Sequence, residues 1–81
     1  METTKKRKEN PEEVLKKIGA RIRELRRIKG YSNYEHISYE LGMSRSQYWG
    51  YENGKNIEIK TLLRILSFLD ISIVEFFKGI E

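Results

Sequence analysis

Apolar positions along the chain recur at helical spacing and nowhere alternate in the two-residue period of a strand. Val14, Ile18, Ile22 and Leu25 form the first stripe, with Leu15 and Ile28 as further candidates for its buried face. Asn10-Pro11-Glu12-Glu13 supplies a start signal. Asn10 can N-cap, Pro11 suits the first helical position, and Glu13 sits three after the cap. The two first-turn carboxylates also favour the helix dipole. This helix is expected to run to about Lys29 and to end at Gly30. Gly19, in its middle, costs about 1 kcal/mol relative to alanine. Close packing of another helix would explain it.

The next two segments are short. Asn33 is the N-cap expected for a helix in which Ile37 and Leu41 lie four apart on one face. Ser38, between them, is small enough to admit a second helix. Gly42 breaks the helix, because glycine takes positive φ without a Cβ penalty. Met43 can tuck under the turn. Ser44 caps a new helix that begins at Arg45. Tyr48 and Tyr51 lie on its inner face, while Arg45, Ser46, Trp49 and Gly50 lie outside. Asn53-Gly54 ends it. A fourth helix carries Ile59, Leu62, Leu63 and Leu66, with Ile65 and Leu69 as further apolar candidates. Ser72-Ile73-Val74-Glu75 is a capping box that opens a short fifth helix with Phe76 and Phe77, and Ile80 follows. The expected fold is all-α, a compact five-helix bundle.

A small residue, a glycine four later, an N-cap serine and a helix with a polar outer face have the spacing of a helix-turn-helix. The stretch from Tyr34 to Gly54 resembles the Cro/phage-repressor type of that motif, the XRE family. Glu52-Asn53-Gly54 resembles the family's ending of the recognition helix. Ile18 to Gly30 resembles its first helix, and Thr61 to Phe77 its last two. The resemblance covers about Val14 to Phe77. It implies a lambda-repressor-like DNA-binding fold, and an ion pair between Arg26 and Glu52 that locks the first helix to the end of the recognition helix. The chain departs from the family at several positions. Tyr34 stands where a phosphate-contacting glutamine is common, Gly50 where a polar base reader is usual, and Asp70 where glycine is frequent.

Composition narrows the alternatives. The 81 residues suffice for one domain, expected over residues 11–81, with too small a core for a drug-sized internal ligand. There is no cysteine and a single histidine, so no disulfide framework, no metal site and no cofactor is expected. His36 has no Ser, Cys or Asp placed by spacing as a catalytic partner and is expected on a polar surface. No apolar run spans a membrane and no apolar leader opens the chain, so the expected compartment is the cytoplasm. The net charge of +4 is uneven. Residues 1–30 hold eleven Lys/Arg against five Asp/Glu, and the remainder five against seven. Residues 1–10, with the run Lys5-Lys6-Arg7-Lys8, contain nothing to bury and are expected to be a disordered basic tail. Such a tail either solubilises the chain or lies along phosphates.

These observations favour sequence-specific binding of double-stranded DNA by a small transcriptional regulator. The helix from Arg45 to Glu52 would enter the major groove, N-terminal end first. Arg45 is the leading base reader, since a guanidinium reaches guanine O6 and N7 together. Ser46, Gln47 and Trp49 are further base-contact candidates, and Tyr34, Ser44, Asn53 and Lys55 are phosphate candidates. Trp49 could instead be a core residue or face a partner protein. One such module buries too little DNA for tight binding, so a homodimer on a palindromic operator is expected. Adjacent Phe76 and Phe77 cannot point the same way. One should close the core and the other, with Ile80 and helped by Phe68, should form the dimer surface. The alternative function is a protein-interaction module of the same fold, an antitoxin or co-regulator. No acid/base pair, nucleophile constellation or phosphate-cradling loop supports an enzyme.

Overall fold

The computed structural model describes residues 9–80. Five helices follow one another: α1 (Pro11–Lys29), α2 (Tyr34–Leu41), α3 (Arg45–Glu52), α4 (Ile59–Phe68) and α5 (Ile73–Lys78). Four of the five are capped by a side chain at their N-terminus. Asn10 Oδ1 accepts from the Glu12 and Glu13 amides, Asn33 Oδ1 from His36, Ser44 Oγ from Gln47 and Ser72 Oγ from Glu75. Each satisfies donors that the first helical turn leaves unpaired, for about 1 kcal/mol apiece. Apart from Glu9 and Asn10, the expected N-terminal tail lies outside the described residues, and Asn10 belongs to the fold as a cap.

α1 and α2 both pack against α3, and α4 packs with α5. Ile18 and Ile22 of α1, Ile37 and Leu41 of α2, and Tyr48 and Tyr51 of α3 meet Leu62, Ile65, Leu66, Leu69 and Phe76 in one cluster. Fully burying each such side chain contributes about 1.5–3 kcal/mol. Gly19 lies where α1 crosses the end of α3. A Cβ there would stand 2.5 Å from the carbonyl oxygen of Tyr51 and 2.6 Å from that of Glu52. The backbones therefore meet with no side chain between them.

The structure decides which of the apolar side chains are buried. Ile28 is 73% exposed, because the inward position in the last turn of α1 is taken by Arg26. Ile59 and Leu63, four apart on α4, face solvent rather than the core, whereas Ile57, in the loop before α4, is buried. Phe76 is fully buried and closes the core, so it is not part of an exposed dimer surface, while Phe77 remains 39% exposed beside it. The two rings meet edge to face at 5.1 Å. Ile80 is half-buried, and Phe68 is engaged within the fold by the Tyr31 ring at 5.8 Å and the Lys29 ammonium at 5.6 Å. Asp70 takes the left-handed conformation, φ 60°, in the turn between α4 and α5. Its carboxylate pairs with Lys29 at 3.3 Å.

Candidate nucleic-acid interface

The turn between α2 and α3 follows from Gly42 and Ser44. Gly42 adopts φ 72°, and the Met43 amide donates back to the Ser38 carbonyl at 2.9 Å. Two residues later Ser44 opens α3. Ser38 is fully buried where α2 meets its neighbours, and its hydroxyl donates to the Glu35 carbonyl at 2.9 Å, so no polar atom is stranded. Arg64 of α4 donates to the Leu41 carbonyl at the end of α2.

A buried polar network fixes α3 at its other end. Arg26 Nε donates to Glu52 Oε2 at 2.7 Å, and Arg26 Nη2 donates to Oε1 at 3.2 Å. The Tyr48 hydroxyl donates to Oε2 at 2.6 Å, and Arg26 Nη1 donates to the Tyr31 carbonyl at 2.8 Å. Arg23 Nε lies 3.6 Å from Glu52 Oε1. The hydrogen bonds that Arg26 donates to Glu52 hold its guanidinium in the charged form against the opposing effect of burial. Burial and the same carboxylate push the Tyr48 phenol well above its ordinary value. Charge, orientation and hydrogen bonding are thus satisfied together, the condition under which a buried ion pair is tolerated.

With its inner face so held, α3 presents its first turn outward. Tyr34, the first residue of α2, lines an open groove with Ser44, Arg45, Ser46 and Trp49. Five of the eight side chains expected to touch DNA are therefore brought together. Arg45 is exposed and its Nη1 reaches Glu35 Oε2 at 3.0 Å. Trp49 is 49% exposed, so it is neither a core residue nor fully free. The structure does not bring the remaining three into the groove. Gln47 turns aside, donating from Nε2 to the Tyr51 hydroxyl at 3.0 Å. Asn53 lies at the far end of α3, where Nδ2 donates to the Trp49 carbonyl at 2.8 Å and Oδ1 accepts from Arg23 at 3.5 Å. Lys55 follows it. Its stem passes over Gly50, where an added Cβ would meet Lys55 Cδ at 2.9 Å, and its ammonium lies 5.9 Å from the Tyr51 ring centre. Gly50 thus leaves room for the Lys55 stem.

Glu35 is the residue that sequence reasoning missed. It is ten positions from Arg45 and on another helix, and charge patterning reads only neighbours three or four apart. His36 is exposed as expected, edge-on to Tyr31 at 5.0 Å and 3.6 Å from Glu40. Among the described residues no cluster of three His, Cys, Asp or Glu could hold a metal ion, and no helix is long and apolar enough to cross a membrane.

Comparison with known proteins agrees with this geometry. A family model described as a helix-turn-helix domain matches residues 19–81. Among solved structures, the restriction-modification controller protein C.AhdI from Aeromonas hydrophila is 36% identical, with a TM-score of 0.72 over 80% of this chain and 98% of that one. The wild-type restriction-modification controller protein C.Esp1396I is 33% identical, with a TM-score of 0.69 over 80% and 84%. The C.Esp1396I tetramer in complex with its natural 35 base-pair operator gives 33% identity and a TM-score of 0.68, over 80% and 86%. No curated protein matches the chain. The match over most of the chain and the capped turn between α2 and α3 lead to one conclusion: the chain belongs to the helix-turn-helix domain family, in its Cro/phage-repressor type.

Proposed function

We propose that this protein is a sequence-specific double-stranded DNA-binding transcription regulator, acting in the cytoplasm on an operator as the similar controller protein does on its own. The observation that carries the reading is the groove at the start of α3. It gathers one guanidinium, three hydroxyls and an exposed indole, on a helix whose opposite face is locked into the core. Inserted into a major groove, this end offers Arg45 to guanine, and Ser46 and Trp49 to neighbouring base edges. Tyr34 and Ser44 flank it as phosphate contacts, and the Ser44 hydroxyl, whose oxygen accepts the cap bond, keeps its O–H to donate to a phosphate. Asn53 and Lys55, about 12 Å along the helix, suit phosphates farther from the bases. Gln47 would have to leave Tyr51 to contribute.

The protein acts as a homodimer in this reading, on a palindromic site with half-sites about 34 Å apart. Phe77 and Ile80 supply the dimer surface, supported by the exposure of Val74, three residues before Phe77 on α5. The residue types and geometry support no enzymatic activity. Selection of bound sites from a random duplex pool tests the proposal, followed by titration of the selected site at low and high salt. Enrichment of a paired motif with steep salt dependence is the expected result. A second reading, a protein-interaction module, is favoured by the half-exposed Trp49 next to the side-chain-free Gly50. Binding that is indifferent to both sequence and salt would favour that reading over DNA.

A further inference from the structure

On the reading that α3 enters the major groove, we infer that Glu35 sets the specificity of this surface by withholding Arg45 from phosphates. Glu35 is the second residue of α2 and Arg45 the first of α3. Their side chains meet at 3.0 Å across the rim of the groove. Both are more than half exposed, so the pair is screened and weak, and DNA can break it. Strength of that order is what a conditional contact needs.

The charge balance gives the pair its effect. Tyr34, Ser44, Ser46 and Trp49 are neutral, so among the described residues Arg45 is the only charge lining the groove. With Glu35 beside it the site carries no net charge. Arg45 held in this way releases few counterions when the protein meets arbitrary DNA, and the Glu35 carboxylate repels nearby phosphates. Guanine offers what a phosphate in passing does not, two acceptors matched to the guanidinium fork. The exchange from carboxylate to base therefore favours a correctly placed guanine over the backbone. Glu35 is a positioning residue and makes no base contact itself.

The test compares Glu35→Gln, Arg45→Ala, the double variant and Glu40→Gln. Glu40 is a second exposed carboxylate on α2, paired with His36 at 3.6 Å, and serves as the charge control. Dissociation constants are measured for the site selected from a random pool and for mixed-sequence duplex, each at two salt concentrations. Glu35→Gln is expected to tighten mixed-sequence binding about two- to fivefold, from the usual strength of exposed pairs. It should also steepen the salt dependence by about one counterion. The selected site should gain less, so the specificity ratio falls. Glu40→Gln should shift both duplexes alike. In the Arg45→Ala background, Glu35→Gln should no longer change the ratio. An unchanged ratio in Glu35→Gln, or a fall that persists without Arg45, overturns the inference while the DNA-reading function stands. If the pool yields no preferred site for the wild-type protein, both fall together.

Discussion

Arg26 of α1 grips Glu52, the last residue of α3, through two hydrogen bonds of 2.7 and 3.2 Å, and both side chains are almost wholly buried. The pair ties the recognition helix to the longest helix of the bundle. Removing Glu52 leaves Arg26 as a buried charge without its carboxylate, and removing Arg26 leaves Glu52 with only the Tyr48 hydroxyl and the longer Arg23 contact. Arg26→Met and Glu52→Leu should each cost about 3–5 kcal/mol. The double variant should recover a large part of that, because no charge is stranded. Urea unfolding of the three variants measures this, and additive losses would show that the two side chains do not act as a pair.

The Tyr48 hydroxyl belongs to the same network and should give it a pH signature. The folded-state pKa of Tyr48 is raised above its ordinary value near 10, by burial first and by the Glu52 hydrogen bond second. A raised pKa on an acid means that the fold favours the neutral form. Its contribution is therefore fully present below the unfolded-state value and is lost as pH rises above it. Stability should fall between about pH 9 and 11, and Tyr48→Phe should fall less over the same range. Parallel slopes for the two proteins would remove Tyr48 as the cause.

Gly19→Ala sets helix propensity against packing. In an open helix the change is worth about 1 kcal/mol of stabilisation. Here the new methyl meets two backbone carbonyls at 2.5 and 2.6 Å, and neither can rotate away. The net effect should be destabilising by about 1–3 kcal/mol, as for overpacking elsewhere. DNA affinity should fall as well, because relief requires α3 to shift. A raised melting temperature would mean that α1 and α3 do not touch at this point.

Arg45→Ala should lower affinity for the selected site by about 1–3 kcal/mol and relax the preference at one base position. Mixed-sequence binding should change much less. Competition between the selected duplex and single-base variants reads this directly. Equal losses on every duplex would assign Arg45 to the phosphates.

Phe77→Ser should abolish self-association and leave the fold intact, since Phe77 is the exposed member of the Phe76–Phe77 pair. Phe76→Ser should instead unfold the bundle, because a fully buried aromatic ring contributes about 3–5 kcal/mol. Sedimentation at micromolar concentration, with circular dichroism as the check on folding, separates the two effects. A wild-type protein that sediments as a monomer rules out a stable dimer through this surface.

Local chemistry determined the elements. The N-cap side chains Asn10, Asn33, Ser44 and Ser72 act within three residues of themselves, and Gly30 and Gly42 act on their own φ. Helix ends are therefore legible in the chain, and so is the helix-turn-helix they frame. The buried tyrosines of α3 follow from its 3.6-residue period. Arg26 with Glu52 was reached only through the family resemblance. What the period does not contain is how wide each buried stripe is. That depends on which neighbours arrive, and so Ile28, Ile59 and Leu63 face solvent while Ile57, in a loop, is buried. Of the adjacent phenylalanines, helix geometry required one inside and one out, but the packing of α5 on α4 chose Phe76. The contacts of Gly19 with α3 and of Glu35 with Arg45 join residues far apart in sequence. No local preference encodes them. They exist only because the bundle brings those helix surfaces together, and they decide how α3 is held and how the exposed Arg45 guanidinium at its start is presented.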